Sequence, residues 1–392
     1  MGSAVYLVGA GVNQEVRNWD GLCPPLIGDL FRVAAKMRRF QGRHDQLNPV
    51  FSYINRFWKM TEDDLAESPF DLEECFTLLD LQLVDAVAAG NRDTIAELQT
   101  VIFRLKSLLA SVLKDFELHA LSSDVMRHFG ARLLAEKPVI LSFNYDCCLE
   151  AVIELASMPN INIPSAFHGG SARETEMPDE LLAYSHYHWN RTLAYAQRFD
   201  KVQLRQAGNS QYVEGERFYS VPGNELYDWY ILKLHGSLNW FRYLPIRRLP
   251  AYIEGEVPFT PELAGRALLV ERDWWLGEPP DLDGWYLDPI ILTPVLHKDR
   301  YLSEPLYQRV VAQLWRKAKD ALQSCETLVI IGYSFPKTDF HTKKLFLEAF
   351  ADHTLKELIV VNPNSSAVKL AADLCHLASP KVFPQLSDYL AA

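Results

Sequence analysis

Two short stretches of the 392-residue chain place chemically capable groups directly after an apolar run. In one, Val139 to Phe143 leads into Asn144-Tyr145-Asp146; in the other, Trp229 to Leu234 leads into His235-Gly236-Ser237. A carboxamide both donates and accepts hydrogen bonds, a carboxylate accepts them, and an imidazole changes charge at an ordinary pKa of about 6.5. Asn144 and Asp146 are also residue types that cap helices, and that simpler role stays open for both. Three more stretches have the same form. Ala4 to Val8 runs into Gly9-Ala10-Gly11 and Asn13, Thr327 to Ile331 into Gly332-Tyr333-Ser334, and Leu358 to Val361 into Asn362-Pro363-Asn364. Glycines at a strand-to-helix turn let the backbone bend tightly and approach a pyrophosphate, although a lone Gly-x-Gly is a weak signal.

The elements that present these groups read as buried parallel strands, since their apolar runs are continuous rather than alternating. Helical patterns separate them at 24–40, 147–157, 307–322 and 339–350. Strands alternating with helices at both chain ends predict an α/β fold, a Rossmann-like doubly wound parallel sheet. Ligands in such sheets bind beyond the carboxyl ends of the strands, where all five polar clusters fall. Between the first two strands the rhythm stops. Asp71 to Ala89 and Asp93 to Leu121 read as long amphipathic helices, with Phe76, Leu79, Leu83 and Val87 on one stripe and Leu98, Ile102, Leu105, Leu109 and Val112 on another. Residues 42–125 are therefore expected to be an inserted helical module, and 1–41 with 126–392 the α/β domain. Residues 159–225 and 242–287 show no periodicity and read as loop insertions. The pair His186 and His188 lacks a third ligand at clear spacing and reads as polar loop rather than metal site.

A net charge of -11 makes direct nucleic-acid binding unexpected, and the basic run Lys36 to Arg43 reads as a solvated helix face. The six cysteines include no Cys-x-x-Cys pair and no histidines at zinc spacing, so reduced thiols and no zinc are expected. There is no export signal and no apolar run of about 18 residues, which predicts a cytoplasmic protein with no membrane contact.

Taken in order, Gly9-Ala10-Gly11, Asn144 with Asp146, His235-Gly236, and Gly332 with Ser334 resemble the motifs of the sirtuin-like family. Asn13 stands where many members have serine, and the four-cysteine zinc site of the protein deacetylases is missing. The chain most resembles the bacterial sirtuin-like NAD-cleaving effectors of antiphage defence. That resemblance implies an NAD hydrolase that releases nicotinamide and ADP-ribose and depletes NAD in abortive infection. Asn144 would position water and His235 would act as base. Asp146 would hold ribose hydroxyls, Gly9, Ala10, Gly11 and Asn13 would hold the pyrophosphate at the following helix N-terminus, and Gly332, Ser334 and Asn362 would hold the adenosine half. It also implies regulation by homo-oligomerisation or a HerA-like ATPase partner. The competing expectations are a non-catalytic NAD or ADP-ribose binding subunit, a deacylase or ADP-ribosyltransferase, and, more weakly, a dehydrogenase. For that last reading the acidic residue sought about 20 positions after the glycine turn finds only Asp29.

Overall fold

The computed structural model describes residues 4–26, 28–40, 44–157, 191–247 apart from 192–193, 196, 198, 207–208 and 215–229, then 268–270, 283–291, 310, 312–336 and 339–392. The chain begins with β1 (Ala4–Val8) and α1 (Leu30–Lys36). Next come α2 (Asn48–Trp58), α3 (Glu62–Glu67), α4 (Leu72–Ala88), α5 (Arg92–Ala120) and α6 (Asp124–Glu136). They are followed by β2 (Val139–Ser142), α7 (Cys148–Ser157), β3 (Lys201–Gln206), β4 (Asn209–Glu214), β5 (Ile231–Lys233), β6 (Gly236–Arg247), β7 (Leu268–Val270) and β8 (Asp283–Ile291). The chain closes with α8 (Gln313–Ser324), β9 (Thr327–Ile331), α9 (Phe340–Ala349), β10 (Glu357–Val361), α10 (Ser365–Leu374), β11 (Lys381–Phe383) and α11 (Leu386–Ala391).

Six strands form a parallel sheet in the order β11-β10-β9-β1-β2-β5. The first three in sequence run outward from β1 in one direction and the last three run outward from β9 in the other. This is the doubly wound arrangement, with its switch point between β1 and β9. Continuous apolar runs are what such a sheet needs, because both faces are covered; Val5 to Val8, Ile140, Leu141 and Leu328 to Ile331 are all buried. Val8 pairs with both Ser142 and Ile331, and Ile331 with Val361. Four strands therefore end at one level, and Gly9, Phe143, Gly332 and Asn362 leave the sheet side by side.

Helices α4 and α5 match the expected ranges, capped by Asp71, which accepts from the Glu74 amide, and by Asn91, which accepts from Thr94. The helix expected over 24–40 is shorter: α1 starts at Leu30, and Gly9-Ala10-Gly11 leads instead into a 3-10 turn, Ala10–Asn13.

The two regions expected to be loops contain strands, a correction to the sequence reading. β3, β4, β6, β7 and β8 make a second sheet in the order β4-β3-β7-β6-β8, in which β6 runs antiparallel to β7 and β8. The expected apolar strand from Pro289 belongs to this sheet as the end of β8. Alternation is hidden at the start of β6 because Ser237, Leu238, Asn239 and Trp240 are all buried, so both faces are covered. Trp229, His186 and His188 lie outside the described residues.

Candidate active site

A cavity of about 710 Å³ lies beyond the carboxyl ends of the parallel strands. Its walls take residues that follow every one of the six: Gly11 after β1, Asn144 after β2, His235 after β5, Ser334 after β9, Asn362 after β10 and Pro384 after β11. The inserted helices close the other side with Leu72, Glu73 and Phe76 of α4 and Leu109 and Leu113 of α5. Its volume falls within the usual range for small-molecule sites, roughly 300–1,000 Å³.

The glycines at the switch point answer first to packing. The Gly9 amide donates to the Ile331 carbonyl and the Gly11 amide to the Gly332 carbonyl, each at 2.9 Å. Gly332 has φ +63, and a Cβ there would lie 2.3 Å from the Gly11 carbonyl carbon. The two loops can cross only because both lack side chains. These amides are occupied, and a short 3-10 turn rather than an α-helix follows the glycines, so the expected helix N-terminus does not stand at this turn. Arg17 is the permanent cation among the described lining residues, which also include the acids Glu15, Glu73 and Asp146, and its Nη1 donates to the Gln14 and Val16 carbonyls.

Asn144 and Asp146 separate into two roles. Asp146 opens α7, accepting from the Cys148 amide at 3.0 Å, and both its oxygens lie 3.2 Å from the buried Asn13 carboxamide nitrogen. Its capping role is therefore real, and Asn13 clamps it across the cavity floor. Asn144 caps nothing. Its amide donates to Ser142 Oγ at 3.3 Å, while its own Oδ1 is buried without a hydrogen-bond partner in a residue only 8% exposed. A buried oxygen left in this state costs roughly 1–3 kcal/mol, a cost that a ligand donor or water would remove.

His235 sits where the chain leaves the parallel sheet. Gly236 turns it towards β6 with φ +77, and a Cβ at that position would stand 2.0 Å from the Ile290 carbonyl oxygen of β8. The imidazole packs edge-on against Phe143, with ring centres 4.9 Å apart, and Phe143 stacks on Tyr333 at 4.4 Å. His235 Nε2 lies 3.3 Å from Asp339 Oδ2. The same carboxylate, 3% exposed, accepts from the Tyr333 and Thr342 hydroxyls. Burial, and then Asp339, hold the Tyr333 hydroxyl well above its usual pKa, so it remains a donor.

Behind Asp146 lies a second buried layer. Lys233 Nζ is 3.0 Å from Glu150, donates to the Asp146 carbonyl, and Glu150 also accepts from Tyr195. Burial, the largest influence, works to lower the Lys233 pKa, but Glu150, Cys147 and Asp146 together outweigh it and hold the pKa above its usual value, so Lys233 is charged.

Every residue given a catalytic or NAD-binding role in the sequence reading lines the cavity except Gly9, which lies beneath it; Gly236 and Ser237, which follow His235, do not line it. Ser334 is exposed at its edge. Asn362 is committed to the loops, donating to the Tyr333 carbonyl at 3.1 Å and accepting from the Asn364 amide at 2.9 Å. Sequence reasoning missed Asp339, Arg17 and Glu73. Sequence alone marks Asp339 only as the start of the helix at 339–350; it stands at the N-cap position of α9, and its side chain makes no capping bond. Arg17 carries no motif, and the only hint of Glu73 was an acid beside the Leu72 and Phe76 stripe.

No protein-family model matches the chain, and no curated protein matches it. Among solved structures it is similar to a Sir2 homolog in complex with NAD, at 10% identity and a TM-score of 0.40 over 99% of this chain and 86% of that one. It is also similar to a Sir2 enzyme structure at 11% identity and a TM-score of 0.33, over 99% of this chain and 89% of that one. Likeness of this strength does not decide the chemistry, which has to be argued from the cavity itself.

Proposed function

We propose that the chain is an NAD glycohydrolase that splits NAD into nicotinamide and ADP-ribose, serving as a toxic NAD-depleting effector in antiphage defence. The observation that carries the reading is the orphaned, buried Asn144 Oδ1 in the same cavity as a histidine held by a buried carboxylate. Strands lie about 4.8 Å apart, so the four steps from β5 to β10 separate His235 from Asn362 by roughly 19 Å, room for an extended dinucleotide. Arg17 would meet the diphosphate, and Ser334 and Asn364 would offer polar atoms to the adenosine half, all three lining the same cavity.

When the bond from nicotinamide to ribose breaks, its electron pair neutralises the pyridinium ring, so no acid is needed for the leaving group. Water supplies the oxygen that joins the ribose carbon, and its proton must be removed. Asn144 Oδ1 accepts from that water and fixes its position. With Nε2–H directed at Asp339, the neutral imidazole of His235 keeps Nδ1 as the proton acceptor, and Asp339 stabilises the cation formed. Glu73 adds negative charge beside a developing ribosyl cation. Helices α4 and α5 contribute Leu72, Glu73, Phe76, Leu109 and Leu113 to the cavity wall, and free NAD and water are taken as the reactants. Restraint of so toxic an activity would come from self-assembly or from a HerA-like ATPase partner.

The test is incubation of the full chain with NAD and separation of the products by chromatography. Nicotinamide and ADP-ribose should appear in equal amounts with the parent and not with Asn144→Ala or His235→Ala. Full activity in a folded His235→Ala protein would remove the proposed base.

A further inference from the structure

A second cavity, of about 340 Å³, lies inside the helical region and is separate from the strand-end site. One side is a single face of α5 carrying Arg104, Ser107 and Ser111, three and seven residues apart and therefore in one row. Facing it are Phe31 and Ala34 of α1, with Phe51 of α2. The Phe31 and Phe51 rings stand 6.3 Å apart and tilted. Arg104 Nε and Ser107 Oγ are buried without a hydrogen-bond partner, and among the described residues no carboxylate lies within ion-pair distance of Arg104. The acids at the rim, Glu62 and Asp63, lie outside that distance from it.

A guanidinium drawn partly out of water with no counter-charge is costly, and a folded chain usually gives it a carboxylate. Here the compensating group is not supplied by the described protein. An apolar wall carrying two aromatic rings, across from a cation and two hydroxyls, suits a ring bearing an anion, since a guanidinium binds carboxylate or phosphate in a two-pronged fashion. We propose that this cavity is a second ligand site, for an aromatic or heteroaromatic ring carrying a carboxylate or a phosphate. Arg104 would pair with the anion, Ser107 and Ser111 would donate to its remaining oxygens, and the ring would lie against Phe31 and Phe51.

Calorimetric titration of the full chain with benzoate, adenosine monophosphate and inorganic phosphate tests this. Binding of at least one ringed probe is expected, weakened tenfold or more by Arg104→Met and less strongly by Ser107→Ala with Ser111→Ala. Benzoate binding alone would assign the carboxylate class, and adenosine monophosphate alone the phosphate class. Arg17→Met should leave benzoate binding, and the part of adenosine monophosphate binding that Arg104→Met removes, unchanged, because Arg17 lines the other cavity. The proposal is overturned if neither ringed probe binds, if Arg104→Met binds as the parent does, or if the loss follows Arg17 instead. Inorganic phosphate binding as tightly as the ringed probes would overturn the ring class. Folding is checked by thermal unfolding without ligand, where Arg104→Met should melt at or above the parent temperature, having lost an uncompensated charge.

Discussion

At the scale of single residues, the cavity assigns different work to side chains that look alike in sequence. Asn144 and Asp146 are two positions apart, yet one is spent on a helix end and the other is left with an unpaired oxygen. Replacing Asn144 by alanine should therefore lower nicotinamide release by about a hundredfold or more without loss of thermal stability, since no internal hydrogen bond of its Oδ1 is broken. Asp339 acts only through His235. Asp339→Asn keeps shape and hydroxyl contacts but removes the charge that holds the imidazole, and kcat should fall roughly 10- to 100-fold with KM little changed. A purely structural Asp339 would lower stability and leave the kcat of the folded fraction intact. Arg17→Met should do the reverse and raise KM about tenfold with kcat preserved, measured at low salt, where diphosphate attraction is least screened.

At the scale of elements, the site depends on two places where backbones almost touch. The β5 to β6 turn needs Gly236, because a methyl group would collide with the Ile290 carbonyl oxygen and positive φ would remain strained. Gly236→Ala should cost at least roughly 2 kcal/mol in urea unfolding and displace His235, so activity should fall further than stability. The buried pair beneath α7 offers a sharper comparison. Lys233→Met strands Glu150 without its partner and should destabilise by on the order of 3–5 kcal/mol, whereas Lys233→Met combined with Glu150→Leu should recover much of that loss. Equal destabilisation in the single and double variants would mean that the charge pairing itself contributes little.

At the scale of the whole molecule, five of the six thiols are buried and one, Cys23, is partly exposed. Burial, with help from Glu74 and Asp71, pushes Cys75 up to about 12, and burial does the same for Cys325. Native protein should therefore titrate one fast thiol, and denatured protein six. The sign for pH follows from the raised values: the folded state keeps these thiols protonated, so their contribution is intact below about pH 9 and lost as pH rises towards 12. The two cavities also share walls. α1 gives Leu30 to the first and Phe31 to the second, and α5 gives Leu109 to the first and Arg104 to the second. A ringed anion that shifts either helix should change NAD affinity, and NAD should change the anion's affinity by the same factor. Unchanged affinities on both sides would make the cavities independent.

The sequence by itself determined five of the six parallel strands, the helices α4 and α5, and the polar residues that follow those strands, because each is written in contiguous apolar runs and in residue types at strand ends; the short edge strand β11, Lys381–Phe383, has no such run and was missed. It did not determine which of those residues would be spent internally. Only the level ends of four strands brought Asn13 to Asp146, and only the start of α9 brought Asp339 to His235, 104 positions away by number (339 minus 235). The second sheet was hidden for a related reason: β6 is buried on both faces at its start, so the alternation that announces an antiparallel strand is absent there. Periodicity reports a side chain's exposure along its own element. Pairing between distant elements, which decides whether a carboxylate caps a helix or holds a histidine, is set by tertiary packing.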